Sequence, residues 1–198
     1  MTRPDFDADA TCVEVRLFAS YVLGLWPGRH VRVIDNYSYQ VGDLARLGKP
    51  DLQLLVDEGR RQQDQQLQQL EQVRGRGQFL LTTALALMAF AVPRVRDAFD
   101  FNMFTGFLTV LALLLFSLGT LGAAAVVVAK KRLAAIDVAE LSGMDDFSLA
   151  KLAEEYATGA RTNENTRTST ITVFRDAVLL VLGGSLAWGI AWLLVSGT

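Results

Sequence analysis

Residues Phe104 to Ala129, FTGFLTVLALLLFSLGTLGAAAVVVA, contain no ionisable side chain and no proline. As a helix rising about 1.5 Å per residue, this stretch reaches roughly 39 Å, more than the ~30 Å thickness of a bilayer's hydrocarbon core. Helices of soluble cores rarely run so far without a charge, so the stretch reads as a membrane span. A positive mean hydropathy of +0.27, with 51% of residues apolar, points the same way.

Two further apolar runs accompany it. Phe79 to Val92, FLLTTALALMAFAV, is short, because about 14 residues give only roughly 21 Å of helix. Arg76 and Arg94 flank it and can snorkel to extend its reach. Ala177 to Val195 supplies about 19 residues, or roughly 28 Å, with Trp188 and Trp192 one helical turn apart, as interfacial anchors are. Pro93 to Asn102 is too brief to do more than turn the chain, so the first two spans form an antiparallel hairpin.

The fold class expected is a mostly α membrane protein, with three transmembrane helices and a small N-terminal cytoplasmic α+β region. The expected division is 1–50 for that region, 51–77 for a glutamine-rich juxtamembrane helix, 78–93 and 103–129 for the hairpin spans, 130–174 for a helical connection, and 175–196 for the last span. Basic residues set the orientation. Arg60, Arg61, Arg74 and Arg76 precede the first span, and Lys130, Lys131, Arg132, Lys151, Arg161, Arg167 and Arg175 lie between the second and third. Only Arg94 and Arg96 lie in the first connection. The positive-inside rule then places the N-terminus and the second connection in the cytoplasm, and the C-terminus outside the inner (plasma) membrane.

The N-terminal region begins with acidic residues, Asp5, Asp7 and Asp9, where a secretory signal would be basic, so no cleavable signal is expected. Val13 to Trp26 is interrupted by Glu14 and Arg16 and suits a short cytoplasmic helix lying against the membrane or its own domain. Between His30 and Val41 the residues alternate around Asp35-Asn36, which predicts a β-hairpin. Leu52 to Val73 is a helix carrying RRQQDQQLQQLEQVR. Leu67, Leu70 and Val73 recur along it, but no apolar residue lies between Val56 and Leu67, so a heptad seam is not established. Its glutamines either face water or mediate contact between copies. Asp145 or Asp146 is expected to cap a further helix with Phe147, Ala150, Ala153 and Ala157 on one side. The threonine-rich RTNENTRTSTIT, Arg161 to Thr172, reads as a linker or as a solvated extension of the third span.

Cys12 and His30 are the only residues of their types, which leaves no disulfide framework and no cysteine- or histidine-pair metal site. No phosphate-binding loop, nucleophile elbow or acidic metal loop is present, so no enzyme, no cofactor and no nucleic-acid partner are expected. None of the three span cores holds an ionisable residue, which argues against a self-contained pump. The spans do hold small residues at close helical spacing: Gly119 with Ala123, Gly183 with Ala187 and Ala191, and Ser185 with Gly189. Such surfaces allow close helix packing, within one chain or between copies of a homo-oligomer. Candidate contacts to an anionic ligand, chosen for charge and stacking, are Arg161, Arg167, Lys151, Tyr37 and Tyr39.

The order of these parts resembles the small prokaryotic transmembrane effectors of antiphage systems, the SLATT and Pycsar-type membrane proteins. The resemblance covers Gly75 to Thr198. It rests on RGRGQFLLTTALALM running into the hairpin, on the basic exit KKRLAAI, and on MDDFSLAKLAEEYATGARTNENTRTSTITVFRDAVLLVLGG returning to a last span. Met1 to Pro50 departs from the pattern. The resemblance implies a cytoplasmic sensing part, coupled to spans that assemble and impair the inner membrane when a nucleotide second messenger arrives; a soluble protein is the other partner expected. The function expected is therefore a non-enzymatic membrane effector, and the alternative is a membrane anchor or scaffold for a soluble partner.

Overall fold

The computed structural model describes residues 8–26, 47–128 and 148–196. Among the described residues 95% are helical and none is in a strand. The hairpin expected between His30 and Val41, with Tyr37 and Tyr39, lies outside the described residues. The α+β character expected of the N-terminal region is therefore not supported, and its described part is a helix. The helices are α1 (Ala8–Leu23), α2 (Lys49–Ala91), α3 (Val95–Phe101), α4 (Met103–Val128) and α5 (Leu149–Ser196), with a 3-10 turn, Val92–Arg94, ahead of α3.

The described chain divides into two units. The first holds residues 8–26, 73–128 and 171–196, and the second holds 47–72 and 148–170. Both α2 and α5 contribute to each unit.

In the first unit the three apolar helices pack through small residues. On α2 the inward positions are Val73, Gly77, Leu80, Ala84, Leu87 and Ala91, alternating steps of four and three. On α4 they are Thr105, Thr109, Ala112, Phe116, Gly119, Ala123 and Val126, with the same alternation. A repeat of seven keeps one seam facing its neighbours along the whole length of a helix. A Cβ built on Gly77 would sit 3.2 Å from Val126, and Thr120 Oγ1 lies 3.7 Å from Met88 Sδ, so α4 runs antiparallel to α2. A Cβ on Gly119 would meet Val181, and one on Gly184 would meet Phe116, so α5 is antiparallel to α4 in turn.

Three helices, those containing 79–92, 103–128 and 177–195, are long and apolar enough to cross a membrane. Their outer faces match, with Leu85, Phe90, Leu114, Leu118, Leu121, Leu179, Leu182 and Leu186 exposed. Hydroxyls inside this unit are satisfied locally. Thr82, Thr83, Thr109, Ser117, Thr120 and Ser185 each donate to the carbonyl four residues earlier, which removes the cost of an unpaired polar group in an apolar surrounding.

The turn between α2 and α4 is itself ordered. Pro93 opens the 3-10 turn, and Ala98 accepts a 2.7 Å hydrogen bond from Thr105 Oγ1. A Cβ on Gly106 would run into the Phe99 ring, so glycine is what lets α3 lie on the first turns of α4. Beside it, the Arg94 guanidinium stacks 4.7 Å above the Trp192 ring, and Trp188 lies 6.2 Å from Trp192. Arg94, Asp97, Thr109, Trp188 and Trp192 border a cavity of about 30 Å³, room for about one water molecule.

At the other end of this unit α1 docks. Leu17 and Tyr21 are buried, and a Cβ on Gly122 would fall 2.7 Å from the Phe18 ring and 3.0 Å from Ala177. Glu14 closes the contact through a 2.8 Å ion pair to Arg175, which also pairs with Asp176 at 3.2 Å.

Candidate functional site

The second unit is the polar counterpart of the first. Helix α2 enters it after Gly48, whose carbonyl accepts the Leu52 N–H at 3.0 Å, with Pro50 in the first turn where no amide is required. Helix α5 starts at Ser148. Its hydroxyl accepts the Lys151 N–H at 3.3 Å, which makes it the N-cap, while Asp145, Asp146 and Phe147 lie outside the described residues. Of the apolar face expected here, Ala153 is buried, Ala150 is half-buried, and Ala157 is exposed.

Within this unit α2 and α5 run parallel. Gly59 faces Tyr156, Gln66 reaches Ala160 and Glu164, and Gln69 reaches Arg167, so positions advance together along the two helices. The inward positions of α2 are Leu52, Val56, Gly59, Gln63, Gln66 and Leu70, again in steps of four and three. The inward stripe of α2 therefore continues past Val56, where the apolar residues alone stop marking it. Three of its positions are glycine or glutamine, and Leu67, which suggested a different stripe, is 41% exposed.

The facing surface of α5 is more polar still. Asn163, Asn165, Thr166, Ser169 and Thr170 are all buried, and none is without a partner. The threonine-rich stretch is thus helical, as one of the two sequence readings has it, but it is not solvated. Small hydroxyl and amide side chains allow two helices to approach while their polar atoms are satisfied, which long charged side chains would prevent.

A side-chain network crosses the pair. Gln66 Nε2 donates to the Ala160 carbonyl at 3.2 Å and to Glu164 Oε2 at 3.3 Å. Arg167 Nε donates to Glu164 Oε2 at 3.0 Å, a second guanidinium nitrogen donates to Glu164 Oε1, and a third contact goes to Gln69 Oε1. Three amide atoms of this helix pair stay unmatched, Gln63 Nε2, Gln66 Oε1 and Asn165 Oδ1, all buried. Burying an amide group without a partner costs about 1–3 kcal/mol, so the seam is stable enough to form but carries internal strain in its polar layers.

Gly59 shows how close the helices come. A Cβ there would lie 2.8 Å from the Tyr156 Cβ, although glycine within a helix costs up to about 1 kcal/mol relative to alanine. Gly59→Ala is accordingly expected to lower the thermal midpoint of helix melting, followed by circular dichroism in detergent, despite its better helix propensity. Adding Tyr156→Ala should restore only a small part of the loss, because it removes the ring contacts at 3.2 and 3.5 Å but keeps the Cβ at 2.8 Å.

The candidate ligand contacts do not converge. Lys151 and Arg167 are separated by about 24 Å of helix rise on α5, with Arg161 between them. Lys151 is exposed on the first turn, Arg161 is half-buried and partnered, and Arg167 is committed to Glu164 and Gln69. Tyr37 and Tyr39 lie outside the described residues.

Of the small residues chosen for packing, Gly119, Ala123, Ala187 and Ala191 are buried within the chain's own first unit. Gly183 touches Leu115, Ser185 bonds its own backbone, and Gly189 has nothing within 4 Å of a built Cβ. Gly77, Gly106, Gly122 and Gly184 also make close approaches, and small-residue spacing does not single them out. The seven-residue alternation of the α2 seam finds Gly77, whereas Gly106 and Gly122 each lie one residue off the α4 seam. Among the described residues no group of three or more metal-ligating side chains converges. No protein-family model, curated protein or solved structure matches this chain.

Proposed function

We propose that this chain is a non-enzymatic effector of the inner membrane, which oligomerises and perturbs or permeabilises the bilayer when a signal or partner acts on its polar helix pair. The observation that carries the reading is the composition of the second unit's seam. Two of the three span-forming helices are also paired there, with layers of glutamine, asparagine, threonine and serine between the apolar ones of Leu52, Leu70, Ala153 and Ala160. Polar layers fix register at a cost in stability, so such a pair responds to a modest binding energy. The antiphage effectors that the sequence resembles work in this sense, with a nucleotide second messenger as the trigger. The N-terminal region and the polar pair then lie in the cytoplasm and the C-terminus outside.

Controlled expression in a bacterial host, followed with a potential-sensitive dye, tests the proposal. Depolarisation accompanied by growth arrest is the expected outcome. Unchanged polarisation and growth, with and without the neighbouring genes, would sink it.

The alternative, an anchor for a soluble partner, draws support from Leu54, Leu55 and Leu67, apolar side chains exposed on α2 within the second unit. Purification in mild detergent separates the two. A homo-oligomer with pore activity fits the effector, and a heteromeric complex without such activity fits the anchor.

A further inference from the structure

Helix α1 is apolar on two faces and only one is covered. Leu17, Phe18 and Tyr21 turn toward α4 and α5, while Val15, Ala19 and Leu23 point away, followed by Trp26 just past the helix end. Val15 is 64%, Leu23 48% and Trp26 73% exposed. A contiguous exposed apolar face of this kind marks contact with another apolar surface or with a membrane.

The position of the covered face says what lies on the other. Phe18 packs where Gly122 and Ala177 meet. Gly122 lies inside the uncharged length of α4, about six residues or roughly 9 Å before its end, and Ala177 opens the uncharged length of α5. The Glu14–Arg175 ion pair, 2.8 Å long, stands at the edge of that apolar zone. The uncovered face of α1 is thus continuous with the belt of exposed leucines on α4 and α5.

We infer that α1 is an interfacial helix, seated on the bundle through Phe18 and Tyr21 and embedded in the lipid headgroup boundary through Val15, Ala19, Leu23 and Trp26. Arg16, exposed on the same side, is long enough to reach lipid phosphates from there. This inference rests on the spans crossing a bilayer. It assigns α1 a lipid surface as its partner, not a second copy of the chain or a soluble protein.

Tryptophan fluorescence of the full-length chain in phosphatidylcholine vesicles tests it. With Trp188→Phe and Trp192→Phe, Trp26 is the only indole left. Its emission should lie to the blue of indole in water and fall by about half or more with lipids brominated near the headgroup, as expected at a depth of ~5–10 Å. Unquenched emission overturns the inference, whether it is water-like or blue-shifted by a protein cover. If the double replacement fails to fold, the difference in quenching between the natural chain and Trp26→Phe reports the same quantity. The Trp26→Phe chain also reports on the last span: quenching there without quenching at Trp26 overturns the interfacial helix alone, and quenching at neither removes the membrane reading as well.

Discussion

Gly119→Leu should cost about 3 kcal/mol or more, at the upper end of the range for overpacked cores, because its side chain has nowhere to go. A Cβ at this position already sits 2.6 Å from a Val181 methyl and 3.1 Å from the Ala177 carbonyl oxygen. The methyl can rotate away, but the carbonyl belongs to the backbone of α5 and cannot. Gly184→Leu is expected to behave alike, since a Cβ there would sit 2.9 Å from the Phe116 ring and 3.1 Å from the Ala112 carbonyl oxygen on α4. Unfolding in mixed micelles by a rising fraction of denaturing detergent, read by circular dichroism, measures the loss. Gly189→Leu is the control, and with nothing within 4 Å of its Cβ it should fall within about 0.5 kcal/mol of the natural chain. Equal effects at the three glycines would mean that α4 and α5 do not meet as described.

The second large effect has the opposite sign. Gln63→Leu removes a buried amide nitrogen that has no acceptor, so it should stabilise the polar pair by about 1–3 kcal/mol. Gln66→Leu forfeits its bonds to Ala160 and Glu164 while removing an unmatched oxygen, and should come out near neutral. If loosening of this seam releases the membrane activity proposed above, Gln63→Leu should also blunt depolarisation at equal expression. A stabilised chain that depolarises as fully as the natural one would separate the seam from the activity.

The three apolar helices are legible in the residues themselves, because a charge-free run as long as a bilayer is wide is rare outside membranes. The seam of α2 is not. Apolar periodicity detects a heptad only when its core positions are apolar, and after Val56 the next three core positions are Gly59, Gln63 and Gln66. Leu67, one residue off the seam, supplies a false stripe. The burial of Asn163, Thr166 and Thr170 is hidden for a related reason. Small polar side chains read as solvated unless a partner helix is known to cover them, and that partner lies nearly a hundred residues away. The partner of Arg167 is equally hidden, since charge alone does not show that Glu164 in the next turn back holds its guanidinium.

The shared direction of α2 and α5 in the second unit has an electrostatic cost. Their amino-terminal ends begin within about a turn of each other, and each carries roughly half a positive charge from the aligned peptide dipoles. In antiparallel neighbours these partial charges would offset the negative ones at the opposite ends, whereas here like poles adjoin. Asp51, in the first turn of α2, is placed to neutralise part of that field, and α5 has no acidic residue in its own first turn. The repulsion left over favours separation of the two helices even before anything binds them.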